Sequence, residues 1–262
     1  MSLDLLIARQ AGVVSRDQAL RAGLSGAAVD HLLRTRRWHP LHPCVYRVPG
    51  HGREDEARAR AALLWAGDGA ALCGATAAWW LGLLARPPAT LRLTAPTRRP
   101  PRAGVAVRCR PLPVEDRVLH RGVAVTAAGL TVLEAARELG GREGELLLDR
   151  ALEERVGWAE VLGAHARHPT SAAAPLLAGA AAEAALVRLL RTSGLRGWHR
   201  HPGRRAVVFP SARVVVEAAP GCTDGAARAQ PACDSRVLRF GRGELATRPE
   251  AVLAAVAGAV GA

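Results

Sequence analysis

Lysine and asparagine are absent from this chain of 262 residues, and isoleucine, tyrosine and methionine each occur once. All 36 basic residues are therefore arginine, set against 23 acidic ones, for a formal net charge of +13. The bias is the signature of a GC-rich bacterial genome, so the charge supports a phosphate-backbone partner without establishing one, and it opposes binding to other basic surfaces. The five cysteines are odd in number and form no close pair, which argues against a disulfide framework and a structural zinc site. The opening "MSLDLLIARQ" has no basic segment ahead of an apolar core and does not read as an export signal. The longest uncharged run, residues 70–85, falls short of the roughly 20 residues that a membrane helix needs. These absences point to a cytoplasmic protein with no membrane partner. At 49% hydrophobic residues the chain can still fill two or three modules, each with its own core.

The first fifty residues carry the most information. Leu3, Leu5, Leu6 and Ile7 predict an apolar helix ended by Gly12. Ser15, with Gln18 three residues on, forms a capping-box pattern for a short second helix. Gly23 permits a corner, and Ser25 caps a third helix through "GAAVDHLLRTRR". In it Val29, Leu32 and Leu33 recur at helical spacing and face the core, leaving Ala27, Asp30, His31 and Arg34 on the outer side. This is the layout of a helix-turn-helix whose third helix reads the major groove of double-stranded DNA. Arg36 and Arg37 lead into "WHPLHPCVYRV", which suits a small wing, and Arg47 accompanies them toward phosphate. His39, His42 and Cys44 are too tightly spaced, with no fourth ligand, to read as a metal site.

After the polar "GHGREDEARAR", helices are predicted over about 54–66 and through "LCGATAAWWLGLL". Strands follow at 89–96, at 104–109 and in "GVAVT", then two more helices, "GLTVLEAARELG" and "REGELLLDRALEERVG". No catalytic constellation stands out. Glu134, Asp149, Glu153 and Glu154 fall on helices, where charged residues ordinarily face solvent, and Arg98, Arg99 and Arg102 form a basic turn. The alanine-rich stretch broken by Pro169 and Pro175 reads as a boundary.

The last third reads as helix, a hairpin from 205–209 and 213–217, a strand at 236–240 and an apolar helix from about 249. A metal-dependent nuclease on such a core needs carboxylates from the first helix, the hairpin and the end of its second strand. Glu183 and Glu217 stand at two of these places, with Asp224 a conceivable late substitute. The hairpin itself lacks Asp and Glu over 205–211, and there is no lysine to serve beside the strand carboxylate.

"GVVSRDQALRAGLS", "VYRV", "GATAAWWLGL", "VAVTAAGLTVLEAA" and "LLDRALEE", in that order over roughly residues 5–155, resemble the AbiEi-type antitoxins of actinobacteria, the autoregulating halves of type IV toxin-antitoxin pairs. "LVRLLRTSGL", "FPSARVVVEAAPG" and "RVLRF" resemble the very-short-patch-repair-like, restriction-endonuclease-like domain often fused behind them. Position 130 is Leu where family members commonly carry Arg. The resemblance puts Glu183 at the helix acid and Glu217 at the strand acid, while Ala206 and Ala219 stand where two aspartates are expected. Losing two carboxylates removes metal affinity as well as orientation.

The expectation is thus an α+β multidomain protein. It has a winged helix-turn-helix at 1–50, an AbiEi-like α+β domain at 51–165, a linker at 166–179 and a degenerate α/β endonuclease-like core at 180–262. The expected function is that of a sequence-specific transcriptional regulator with DNA and a cognate toxin as partners. It takes no cofactor, no metal and no catalytic residue. The alternatives are a Mg²⁺-dependent endonuclease or nickase using Glu183, Glu217 and Asp224, or a tail that docks a protein partner.

Overall fold

The computed structural model describes residues 2–170, 173–201, 204–218, 228–229 and 235–261. It forms two compact units, Met1–Glu138 with Val156–Ala164, and Leu139–Arg155 with His165–Ala262. In the first, α1 (Leu3–Arg9) is capped by Ser2 and leaves through Ala11 and Gly12, both at positive φ, into β1 (Val13–Ser15), whose valines are fully buried. The capping box between Ser15 and Gln18 forms as expected and starts α2 (Arg16–Arg21). The Ser25 hydroxyl accepts the Ala28 amide at 3.1 Å to start α3 (Gly26–Arg34). Then β2 (His39–His42) and β3 (Val45–Arg47) complete an antiparallel sheet in the order β1-β3-β2. Val29 is wholly buried with Ile7, Val14, Ala19, Trp38 and Tyr46, and Leu32 and Leu33 pack at the edge of this core.

The rest of this unit begins with α4 (Glu54–Ala66), followed by β4 (Ala71–Leu72), α5 (Gly74–Trp80), β5 (Leu91–Ala95), β6 (Val105–Cys109), β7 (Arg117–His120), β8 (Val123–Thr126) and α6 (Ala128–Leu139). Its sheet runs β6-β5-β4-β8-β7, with β5/β6 and β4/β8 parallel. The break expected at residue 50 does not separate two cores. Val13 and Val45 pack against Ala57 and Ala61 of α4, because the second face of the small sheet would otherwise lie in water.

Next, α7 (Gly141–Glu154) belongs to the second unit, α8 (Trp158–Arg167) begins in the first, and α9 (Ala173–Thr192) opens the main body of the second. The segment 139–155, expected with the middle domain, therefore lies elsewhere. Residues from 173 onward are helix rather than linker: Pro175 sits in the first turn of α9, where its missing N–H removes no helical bond. The second unit continues with β9 (His199–Arg200), β10 (Ala206–Phe209), β11 (Val214–Ala218), β12 (Arg228–Ala229), β13 (Arg236–Phe240), α10 (Arg242–Thr247) and α11 (Pro249–Val260). The sheet order is β12-β13-β11-β10-β9, and among the described residues only β11/β13 pair in parallel. α9 is long and apolar enough to cross a bilayer, yet half of its apolar window is buried, with Leu186 and Leu190 packed among Val207, Val216 and Phe240.

The first unit holds a buried charge cluster. Glu56 accepts from Arg60 at 3.0 and 3.2 Å, from Arg53 at 3.2 Å and from Arg121 at 3.1 Å, while Arg60 lies 5.3 Å from the Trp80 ring centroid. Glu56 and Arg60 are each 8% exposed. Removing one member strands a charge away from water, so Glu56→Ala is expected to cost about 3–5 kcal/mol. Denaturant midpoints measure it; a loss under about 1 kcal/mol, the range of an exposed pair, would contradict the assignment.

Candidate nucleic-acid interface and carboxylate cluster

Ala27, His31 and Arg34 are exposed on α3, and Arg36 and Arg37 are exposed just beyond its end. Arg36 stands in the left-handed region at φ +54°, and the amides of Arg36 and Arg37 return to the carbonyls of Leu33 and Leu32. This turn buries Trp38 and leaves both guanidinium groups outside. Asp30 is exposed but engaged: Arg16 donates to its two carboxylate oxygens at 2.6 and 3.2 Å, pinning the start of α2 to α3. The Arg16 guanidinium holds the Asp30 carboxyl below its ordinary range. Arg47 is half-buried and donates to the His51 carbonyl, tying β3 to the following loop. The structure thus brings Ala27, His31, Arg34, Arg36 and Arg37 to the surface and uses Asp30 and Arg47 internally.

His42 stacks on Trp65, with ring centroids 5.4 Å apart, and the guanidinium carbon of Arg102 lies 5.7 Å from the centroid of the same ring. Burial, followed by the Arg102 charge, lowers the His42 pKa. Among the described residues no three His, Cys, Asp or Glu side chains group as metal ligands. The basic turn is also partly structural, since Arg99 donates to the Ala66 carbonyl at 2.8 Å.

In the second unit the two candidate carboxylates each meet arginine. Glu183 is 4% exposed, and its Oε1 accepts from Arg200 Nε at 3.0 Å and Nη2 at 2.7 Å. Glu217 pairs in register with Arg239 of the parallel strand β13, whose Nε donates to Oε2 at 2.7 Å, and Arg204 stands 3.7 Å from Oε1. Ala206 lies opposite Glu217 on β10, so the position where the resemblance expects an aspartate carries no oxygen ligand. Asp224 and Ala219 lie outside the described residues.

The helix acids do not all face solvent, as their positions suggested. Glu134 is 9% exposed and 2.5 Å from Arg110, because α6 lays it over the charged end of β6. Asp149 is bound by Arg205 at 3.2 and 3.3 Å, and Glu153 pairs with Arg200. Glu154 keeps an exposed pair with Arg150 at 3.4 Å. Sequence reasoning missed the arginine partners Arg16, Arg110, Arg200, Arg205 and Arg239. For Arg239 a signal existed: "VVVEA" and "RVLRF" set side by side in parallel bring it opposite Glu217.

Residues 70–178 match the family model described as AbiEi antitoxin C-terminal domain. This AbiEi match supports the AbiEi-type antitoxin family for that segment, which runs from just before β4 into α9. No curated protein matches the chain. Among solved structures, the crystal structure of RV2827C protein from Mycobacterium tuberculosis is similar at 16% identity and a TM-score of 0.37, over 95% of this chain and 92% of that one.

Burial, with the nearby Asp149 charge, pushes the Glu183 carboxyl up to about 7, against the pull of Arg205. An acid whose folded pKa lies above its unfolded value binds more protons when folded, so its stabilising contribution is complete below the unfolded pKa and is lost as pH rises through the folded one. Glu183→Gln is therefore expected to flatten the fall in stability between about pH 4.5 and 8. Denaturant midpoints across that range test this, and an unchanged slope would count against it.

Proposed function

We propose that the first fifty residues are a winged helix-turn-helix that binds duplex DNA, and that the protein is a sequence-specific transcriptional regulator of the AbiEi antitoxin type. The observation that carries the reading is the outer face of α3: His31 and Arg34 exposed on the helix, followed by the two outward arginines of the turn. The element order α1-β1-α2-α3-β2-β3 supports it, with the β2/β3 hairpin as the wing. His31 and Arg34 read base edges, Ala27 allows close approach, and Arg36 and Arg37 contact phosphates. Asp30, held by Arg16, positions the reading helix rather than reading a base. The AbiEi match supports a cognate toxin as the protein partner, and the protein is read as cytoplasmic.

The second unit, with its helix, hairpin, parallel third strand and closing helices, is read as an endonuclease-like core that has lost its chemistry. Guanidinium groups sit on Glu183 and Glu217, and a cation would have to displace them to reach either carboxylate. On this reading Glu183 and Glu217 hold no metal, and no cofactor or catalytic residue is assigned to the protein. Mg²⁺-dependent cleavage through Glu183 and Glu217 is the competing reading.

Binding to the duplex upstream of the protein's own gene, compared with a scrambled duplex over a salt series, tests the regulator. Specific retention is expected, and equal weak retention of both would overturn it. Arg37→Ala is expected to weaken binding on both duplexes alike and to reduce the salt slope by about one. An unchanged slope removes Arg37 from the phosphate contacts.

A further inference from the structure

The turn "PTRRPPRAG", residues 96–104, joins the parallel strands β5 and β6, is exposed throughout and holds three arginines and no acid. Among the described residues neither Arg98 nor Arg102 forms an ion pair, in contrast to the arginines that meet Glu56, Glu134 and Glu138 in the same unit. The turn is braced from within. Pro96, Pro100 and Pro101 fix φ at three positions. Arg99 reaches inward to the Ala66 carbonyl and fills the space that Gly67 leaves at the end of α4, where a Cβ would stand 2.6 Å from its Nη2. Arg102 lies over the Trp65 ring. Arg98 is thus presented to solvent from a fixed backbone, so little conformational freedom is lost when it meets an anion.

Trp65 sets where this turn lies relative to α3 and the wing. The small sheet packs Val14 and Tyr46 on the core that holds Val29 of α3, and Val13 and Val45 on α4. His42, the last residue of β2, stacks on Trp65 from the α4 side, and Arg102 shares that ring. The wing therefore stands between α3 and the basic turn. Its tip also lies at the start of α3: the Arg16 amide donates to the Cys44 carbonyl at 2.8 Å, and the Arg16 side chain reaches Asp30 and the Gly26 carbonyl. We infer, on the winged-helix reading above, that residues 97–102 are a further phosphate-binding element, which grips the duplex beyond the wing without reading bases. A duplex laid along α3 and the wing continues past the wing tip to Arg98 and Arg102, and the footprint lengthens on that flank alone.

The test compares the full chain with the pairs Arg98→Ala/Arg102→Ala and Arg98→Lys/Arg102→Lys, on the duplex upstream of the protein's own gene and on a scrambled one. The alanine pair is expected to lower the salt slope by about two on both duplexes, and the lysine pair to restore it, because a phosphate accepts either cation. Hydroxyl-radical footprinting is expected to show the alanine pair losing protection on one flank while the rest of the footprint stays. Arg98→Ala alone should lower the slope by about one and leave the denaturant midpoint unchanged, which separates a phosphate contact from a folding defect. An unchanged slope and footprint in the alanine pair, with Arg37→Ala still effective, would overturn the inference and leave the regulator standing. No retention of either duplex by the parent chain would overturn both. A slope lowered by the alanine pair but not by Arg37→Ala would support the turn and remove Arg37.

Discussion

A guanidinium group resting on a shielded carboxylate is the interaction on which both units depend. In the first unit Arg60 and Arg121 meet Glu56, Arg110 meets Glu134, and Arg92 meets Glu138 at 2.6 Å. In the second, Arg200 meets Glu183, Arg205 meets Asp149, and Arg239 meets Glu217. With no lysine in the chain, every such pair has the planar, always-charged arginine fork, which can satisfy two acceptors and stack on an aromatic ring as Arg60 does on Trp80. These pairs add little beyond what an apolar pair of equal volume would give, but losing one partner leaves a buried charge, so they fix the packing of the helices that carry them.

The same pairing divides the arginines by task. Those on Glu56, Glu134, Glu183 and Glu217 are neutralised in place and add little to the outward field. Arg34, Arg36 and Arg37, at and just after the end of α3, are directed outward by a turn whose strained Arg36 backbone is held by hydrogen bonds to α3. A formal surplus of 13 positive charges becomes useful to a phosphate backbone only where arginines are left outward in this way. In the second unit the division has the opposite effect: the acids that could gather a divalent cation are held by cations of the chain itself.

Much of this is legible in the sequence. The Ser15 and Ser25 caps, the strand at 236–240 and the helix beginning at 249 follow from local signals, because a cap or an alternating run is specified by residues a few places apart. The short strands β1, β4 and β7, of two to four residues, carry too few positions to show alternation. Partner choice was harder still: Arg200 lies 17 residues from Glu183, and Arg239 lies 22 from Glu217. A helical wheel puts Asp30 on the groove-facing side because it shows exposure and not Arg16 arriving from the preceding helix. The same wheel puts Glu134 in solvent, although Arg108 and Arg110 at the end of β6 pair with it and it is buried.

The proposed regulator holds DNA without cutting it, and supercoiled plasmid incubated with the full chain in Mg²⁺ or Mn²⁺ tests that most directly. Retardation of the plasmid with every molecule still supercoiled is the predicted result. Metal-dependent nicking that vanishes in Glu217→Ala would show that the arginines yield to the cation, and would contradict the account at its centre.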